Sequence, residues 1–159
     1  MHPLMNTPDL QNQLERIGSR LDGEMHVSRL IRTAYSTDAS VYRETPLAVA
    51  IPRSDDDLQT LINLASDLQL SLIPRAAGTS LAGQVVGNGI IVDISQHFTR
   101  ILEINASQQW VRVQPGVIRD ELNLALKPFG LMFGPETSTS NRAMIGGMLG
   151  NNSCGSNSL

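Results

Sequence analysis

Cysteine is nearly absent: Cys154 is the only one in 159 residues, which excludes a disulfide framework and a cysteine-based zinc site within the chain. No apolar run approaches the roughly 18 residues that cross a bilayer, so any membrane association is expected to be peripheral. The start of the chain lacks a basic segment followed by an apolar stretch. Met1 to Glu15 is polar, and a cytoplasmic location is the expectation. A basic field is missing too. The formal net charge is -3 and Lys and Arg are scattered singly, which disfavours a nucleic-acid partner. Histidine is scarce: His2, His26 and His97 are widely spaced, and each reads as an ordinary surface or partly buried side chain. No lysine occurs between Ile51 and Pro115, which removes a P-loop. Gly87-Asn88-Gly89 lacks a third glycine and runs directly into an apolar strand, which removes a Rossmann fingerprint.

What is present is an ordinary globular composition, 41% hydrophobic and 17% charged, with 13 glycines. Thr7 as N-cap and Pro8 at N1, with Leu10, Leu14, Ile17 and Leu21 at helical spacing, predict a first packing helix. A short apolar-periodic piece follows at Leu30 and Ile31, then a polar loop from Tyr35 to Ser40. The apolar run 47–51, bounded by Pro46 and Pro52, predicts a buried strand. Ser54 then caps a helix bearing Leu58, Leu61, Ile62, Ala65 and Leu68. The acidic triplet Asp55-Asp56-Asp57 in its first turn is explained by the helix dipole rather than by a metal, because adjacent helical side chains diverge. Further strands are expected at 71–73 and 90–94, a hairpin at 101–104 and 110–113, and a helix over 118–129 that buries Leu122, Leu124, Ala125 and Phe129, with Gly130 as C-cap. The fold class is α+β. The expected division is an N-terminal helical segment (1–45), a first α+β lobe (46–109) and the start of a second lobe (110–159). The chain stops in a Gly/Asn/Ser-rich stretch without a closing element, so a truncated chain is expected, with any site completed elsewhere.

Two segments carry chemistry. The first, Pro74 to Gln84, follows a strand and pairs small side chains with two glycines, so that backbone N–H groups can converge on an anion while Thr79 and Ser80 add hydroxyls. Taken alone it fits a long surface turn as well as an anion cradle. The second comprises Gly134 to Ser138 and Met144 to Gly155, rich in groups that hydrogen-bond a polar heterocycle or a diphosphate. A solvated tail is the plainer reading. Met144, Ile145, Met148 and Leu149 weigh against it, since such a tail gains nothing from them.

These segments resemble a known pair. Pro74 to Gln84 resembles the pyrophosphate loop of the vanillyl-alcohol oxidase / p-cresol methylhydroxylase type of FAD-binding domain, and Ile145 to Gly155 resembles that family's second glycine-rich flavin loop, in the same order and spacing. The resemblance runs from Pro46 to the end. Within the family the chain looks most like the D-lactate dehydrogenase / glycolate oxidase / D-2-hydroxyglutarate dehydrogenase branch, particularly its long members with a C-terminal iron-sulfur domain.

The resemblance implies a two-lobed FAD-binding domain, here truncated. Pro74, Arg75, Ala76, Ala77, Gly78, Thr79 and Ser80, with Gly83 and Gln84, would hold the pyrophosphate. Pro135, Glu136, Thr137 and Ser138, with Gly146, Gly147, Asn151, Asn152, Ser153, Cys154 and Gly155, would line the flavin and its ribityl-phosphate chain. Ala76 and Ala77 stand where many relatives have glycine, which is tolerable if neither needs a positive φ. Thr79 stands where covalently flavinylated relatives carry histidine, so FAD is expected to be non-covalent. Cys154 is expected to be a small residue packed beside the cofactor. No metal ligand is nominated, and no catalytic residue, since the family's carboxylate clamp and base lie in a later domain. The implied reaction oxidises a D-2-hydroxy acid to the 2-oxo acid, with electrons leaving to an iron-sulfur domain or a quinone. An iron-sulfur cluster would belong beyond Leu159, and a longer form could sit peripherally at the inner membrane. The competing readings are a non-catalytic flavin-binding module, a structural or interaction fragment, and a same-fold enolpyruvyl sugar-nucleotide reductase.

Overall fold

The computed structural model describes residues 7–155; His2 and residues 156–159 lie outside them. The chain sorts into two compact units. One comprises residues up to Pro74 together with Ser80–Asp93, the other Arg75–Thr79 together with the residues from Ile94 onward.

The first unit is built on a four-stranded sheet of order β1-β2-β4-β3. Its centre is β2 (Ala48–Ile51) beside β4 (Ile90–Asp93), paired in parallel with Ala48 opposite Ile90 and Ala50 opposite Val92. Every residue of both strands is buried. That is why their sequences read as unbroken apolar runs rather than alternating ones: each strand is covered on two faces. Val49, Ile51 and Ile91 form one cluster, against which Ile31, Tyr35 and Ile73 pack. β3 (Leu72–Arg75) lies on the far side of β4 and leads into the first glycine-bearing segment. β1 (Glu24–His26) pairs antiparallel with β2. It has no apolar alternation and was not expected; it joins Glu24, Met25 and His26 to the sheet. α1 (Thr7–Gly18) buries Leu14, and α2 (Arg29–Ala34) is a short helix whose Leu30 is exposed.

α3 (Asp55–Leu68) connects β2 to β3. Ser54 caps it, its Oγ accepting from the Asp57 N–H at 3.2 Å. The helix buries Leu61, Leu64 and Ala65, while Ile62 is exposed, so the inward stripe is shifted from the expected one. The dipole accounts for Asp55 and Asp56, which are exposed, but not for Asp57. Its carboxylate is buried and accepts from the N–H groups of Asp22 (2.8 Å), Gly23 (2.9 Å) and Arg53 (2.8 Å). Burial alone pushes this carboxyl up, but the backbone hydrogen bonds from Arg53, Asp22, Gly23 and Ser54 outweigh it and hold the group below the ordinary aspartate value. Asp57 thus fastens the turn before β1 to the start of α3.

The second unit contains the hairpin β5 (Ile101–Asn105) and β6 (Trp110–Val113), α4 (Arg119–Leu126) ending in a 3-10 turn (Lys127–Phe129), and α5 (Ile145–Gly150). The hairpin is antiparallel, with a register shift between Ile101 and Glu103. Gly130 closes α4 at φ +67, the left-handed position that suits glycine. Val117, Leu122, Leu126, Ala143, Ile145 and Met148 form the core, and Ile101, Ile104, Val111 and Val113 of the hairpin pack against it. Both strands of the hairpin belong to this unit, which the chain enters for the second time at Ile94. Leu124 and Phe129, expected inside, are exposed: Leu122 and Leu126, four apart, take the inward face of α4 and leave Leu124 on the opposite one, while Phe129 falls in the 3-10 turn that follows.

Candidate functional site

The first glycine-bearing segment leaves β3 at Arg75. Gly78 has φ +65, and a Cβ placed there would come within 2.6 Å of Arg75 Nη2, so the guanidinium folds across the bare glycine. The left-handed non-glycine residues among those described are Gln69, Gln109 and Asn152, so Ala76 and Ala77 occupy positions an alanine accepts. Arg75, Ala76, Ala77, Gly78 and Thr79 belong to the second unit, whereas Pro74, Ser80, Gly83 and Gln84 belong to the first. In the first unit Ser80 closes a turn, its Oγ donating to Gln84 Oε1 (2.8 Å) and accepting from the Ala82 N–H (3.1 Å). Gly83 has φ +70 and lies under the Tyr42 ring.

The second segment is not a continuous loop. It contains α5, a helix hidden from a propensity reading because three of its six residues are glycine. The tertiary contacts explain both the helix and its glycines. The Gly146 N–H donates to Pro115 O at 2.8 Å, and a Cβ at Gly146 would overlap the Pro115 ring. One residue on, a Cβ at Gly147 would stand 3.3 Å from the Ala76 Cβ, so the second unit brings the first segment against the start of α5. After α5 the chain is held by the Ser153 N–H donating to Met148 O (2.8 Å) and Asn151 Nδ2 donating to Ser153 Oγ (3.0 Å). Gly155 then passes so close to the Glu136 carbonyl that no side chain fits there.

These contacts leave a cleft of about 820 Å³ in the second unit, lined by Glu136, Thr137, Ser138 and Ser140 and by Asn151 through Gly155, with Arg119 among the lining residues. Its wall is almost wholly hydroxyls, amides and small residues. Thr137 Oγ1 is buried and makes no hydrogen bond to any described residue, a cost a native site tolerates when a ligand completes it. Pro135, Gly146 and Gly147 do not line the cleft; they fix the segments that do. Cys154 is exposed and lines the cleft.

Arg119, which the sequence reading missed, is buried in the first turn of α4. Its Nε donates to Pro135 O at 3.2 Å, its Nη1 to Asp120 Oδ1 at 3.0 Å, and its Nη2 stands 3.8 Å from Glu136 Oε1. A cation at a helix N-terminus opposes the dipole, and that unfavourable placement was the available signal. Among the described residues no group of His, Cys, Asp and Glu could hold a metal ion, and no helix is long and apolar enough to cross a membrane. A hydrogen-bonding cleft with glycine-enforced close approaches, an unpartnered threonine and one buried guanidinium fits an elongated, anionic, heterocyclic ligand such as FAD.

The fold agrees with that fit. The chain superposes on p-cresol methylhydroxylase with a TM-score of 0.76 at 15% identity, over 94% of this chain and 30% of that one. Among curated proteins it is similar to the D-2-hydroxyglutarate dehydrogenase of Pantoea ananatis, 48% identical over 140 residues, which is 86% of this chain and 14% of that protein. It is similar also to the D-2-hydroxyglutarate dehydrogenase of Pseudomonas putida, 42% identical over 159 residues, which is 98% of this chain. The chain spans 16% of the length of that relative, so it matches only a small part of either protein. Its architecture is the α+β fold of p-cresol methylhydroxylase-type flavoproteins, and because residues 46–159 match the FAD binding domain model, the chain belongs to that FAD-binding family.

Proposed function

We propose that this chain is the cofactor-gripping part of an FAD-dependent oxidoreductase that converts a D-2-hydroxy acid, D-2-hydroxyglutarate in first place, to the 2-oxo acid. The observation that carries the reading is the cleft walled by Glu136–Ser138 and Asn151–Gly155, where the buried Thr137 hydroxyl awaits a partner. The relatives' names supply the substrate class. When bound, FAD supplies a two-electron acceptor for the substrate's Cα–H.

The residues of this chain bind and orient. Arg75 to Ser80, with Pro74, Gly83 and Gln84, offer backbone N–H groups, hydroxyls and one guanidinium to the pyrophosphate. Thr137, Ser138, Asn151, Asn152 and Ser153 offer hydroxyl and amide groups to the flavin and its ribityl chain, while Gly146, Gly147 and Gly155 keep the backbone close. Thr79 has no ring nitrogen to attach to a flavin, so the cofactor is held without a covalent bond there. The substrate carboxylate clamp and the base come from outside this chain. Electrons leave to an iron-sulfur domain or a quinone, at a cytoplasmic protein or one held peripherally at the inner membrane.

The test is an equilibrium titration with FAD, followed by flavin fluorescence, on the purified protein and on Gly78→Asp and Gly147→Asp variants. Saturable binding that both variants lose is expected. Variants that bind as the parent does would place the cofactor elsewhere and overturn the assignment.

A further inference from the structure

The cation of Arg119 is in the wrong place for its helix. Its side chain is 11% exposed in the first turn of α4, where the dipole disfavours positive charge and burial disfavours any charge. Local rules broken this way are found where the local cost is offset by a task. A guanidinium has five N–H donors in a fixed fork. Here one donates to Pro135 O and another to Asp120 Oδ1, while Nη2 is 3.8 Å from Glu136 Oε1, too far for a hydrogen bond. The fork therefore grips the backbone at the head of the 135–138 segment, and Arg119 is itself among the residues that line the cleft.

The grip is itself supported. Asp120 accepts from Ser140 Oγ through its other carboxylate oxygen at 3.0 Å, and the Arg119 N–H donates to Ala143 O at 2.9 Å. Thus the two ends of the segment that carries Thr137 and Ser138 are bound to one residue pair, Pro135 by Arg119 and Ser140 by Asp120. Glu136, the carboxylate in that segment, is balanced by the same guanidinium.

We propose that Arg119 is a positioning residue of the flavin cleft: it fixes the 135–138 segment against the cofactor and offsets the Glu136 charge beside it. This rests on the flavin reading above. Losing a charged hydrogen bond and the cation together is expected to weaken FAD binding by at least about tenfold.

The test compares Arg119→Met and Arg119→Lys with the parent protein by FAD titration, by the visible spectrum of bound flavin and by its midpoint potential. The expected result is weaker binding and a lower potential in R119M, with the potential restored in R119K, which keeps the charge but cannot make the fork. A purely structural role would lower apo-protein stability while leaving the affinity, spectrum and potential of the bound flavin at parent values, and that result would overturn the proposal. If R119M does not fold, Glu136→Gln decides: it leaves the grip on Pro135 intact and removes the opposing charge, so the potential must rise, and an unchanged potential refutes the charge role. Failure of the parent protein to bind FAD would overturn the flavin reading, and this inference with it.

Discussion

Adjacent glycines at the start of α5 allow a sharp test, because the structure assigns them different neighbours. Gly146→Ala would push a methyl into the Pro115 ring and leave it 3.0 Å from both Pro115 Cα and Pro115 O. Relaxed carbon contacts lie near 3.5–4.0 Å, so α5 must retreat from Pro115. The retreat stretches the Gly146 N–H to Pro115 O bond (2.8 Å) and the Ile145 N–H to Val117 O bond (2.9 Å) beside it. Overpacking costs about 1–3 kcal/mol and each compromised hydrogen bond about 1 kcal/mol, against about 1 kcal/mol gained in helix propensity. The net expectation is a loss of about 2–4 kcal/mol. Gly147→Ala meets only the Ala76 Cβ at 3.3 Å, and the neighbour must yield by a few tenths of an ångström. Propensity offsets that, so stability should stay within about 1 kcal/mol of the parent. Because the displaced neighbour is part of the Arg75–Thr79 segment, FAD affinity should nevertheless fall in G147A. Urea unfolding of both variants without cofactor, paired with FAD titration, separates the two effects. A Gly146→Ala protein as stable as the parent would refute the Pro115 contact and the account of α5 built on it.

Asp57→Asn removes a carboxylate that accepts three backbone N–H groups and replaces one oxygen with a donor, so urea unfolding should show a loss of about 2–4 kcal/mol. The sign with pH follows from the lowered pKa. The stabilisation is fully present above the unfolded value near 4 and is lost as pH falls through the lower folded value, so the gap between parent and D57N should close only in acid. Equal acid sensitivity in parent and variant would contradict this. Ser54→Ala should cost about 1 kcal/mol by loss of the α3 cap, measured by the same denaturation. Gly83→Ala, at φ +70 beneath the Tyr42 ring, should cost about 1–2 kcal/mol for the left-handed backbone alone, and adding Tyr42→Ala should recover only the steric part.

Much of the fold was written in periodicity. β2 and β4 declared themselves as short apolar runs, the hairpin as two alternating stretches, and α3 by its serine cap. What escaped has a common cause: it depends on partners distant in sequence. β1 is three exposed or half-buried residues, Glu24, Met25 and His26, that form a strand because β2 offers an edge. α5 is helical against its own propensity because Pro115 and Val117 accept its first N–H groups. Asp57 looked like one of three equivalent dipole acids until the turn at Asp22 and Gly23 arrived to use it. At the site, the glycine-rich segments were visible as a pattern, since close backbone approach demands small residues. Arg119 was not, because its meaning lies in the carbonyl of Pro135, 16 residues away.

The path of the chain between its two units has a consequence for anyone dissecting the gene. The polypeptide enters the second unit for Arg75–Thr79, returns for Ser80–Asp93, and crosses again at Ile94. No single cut yields either unit whole. A chimera that swaps everything before Ile94 with a homologue also swaps five residues that belong to the other unit, and a truncation that begins at Ile94 leaves α5 facing a gap where Ala76 should be.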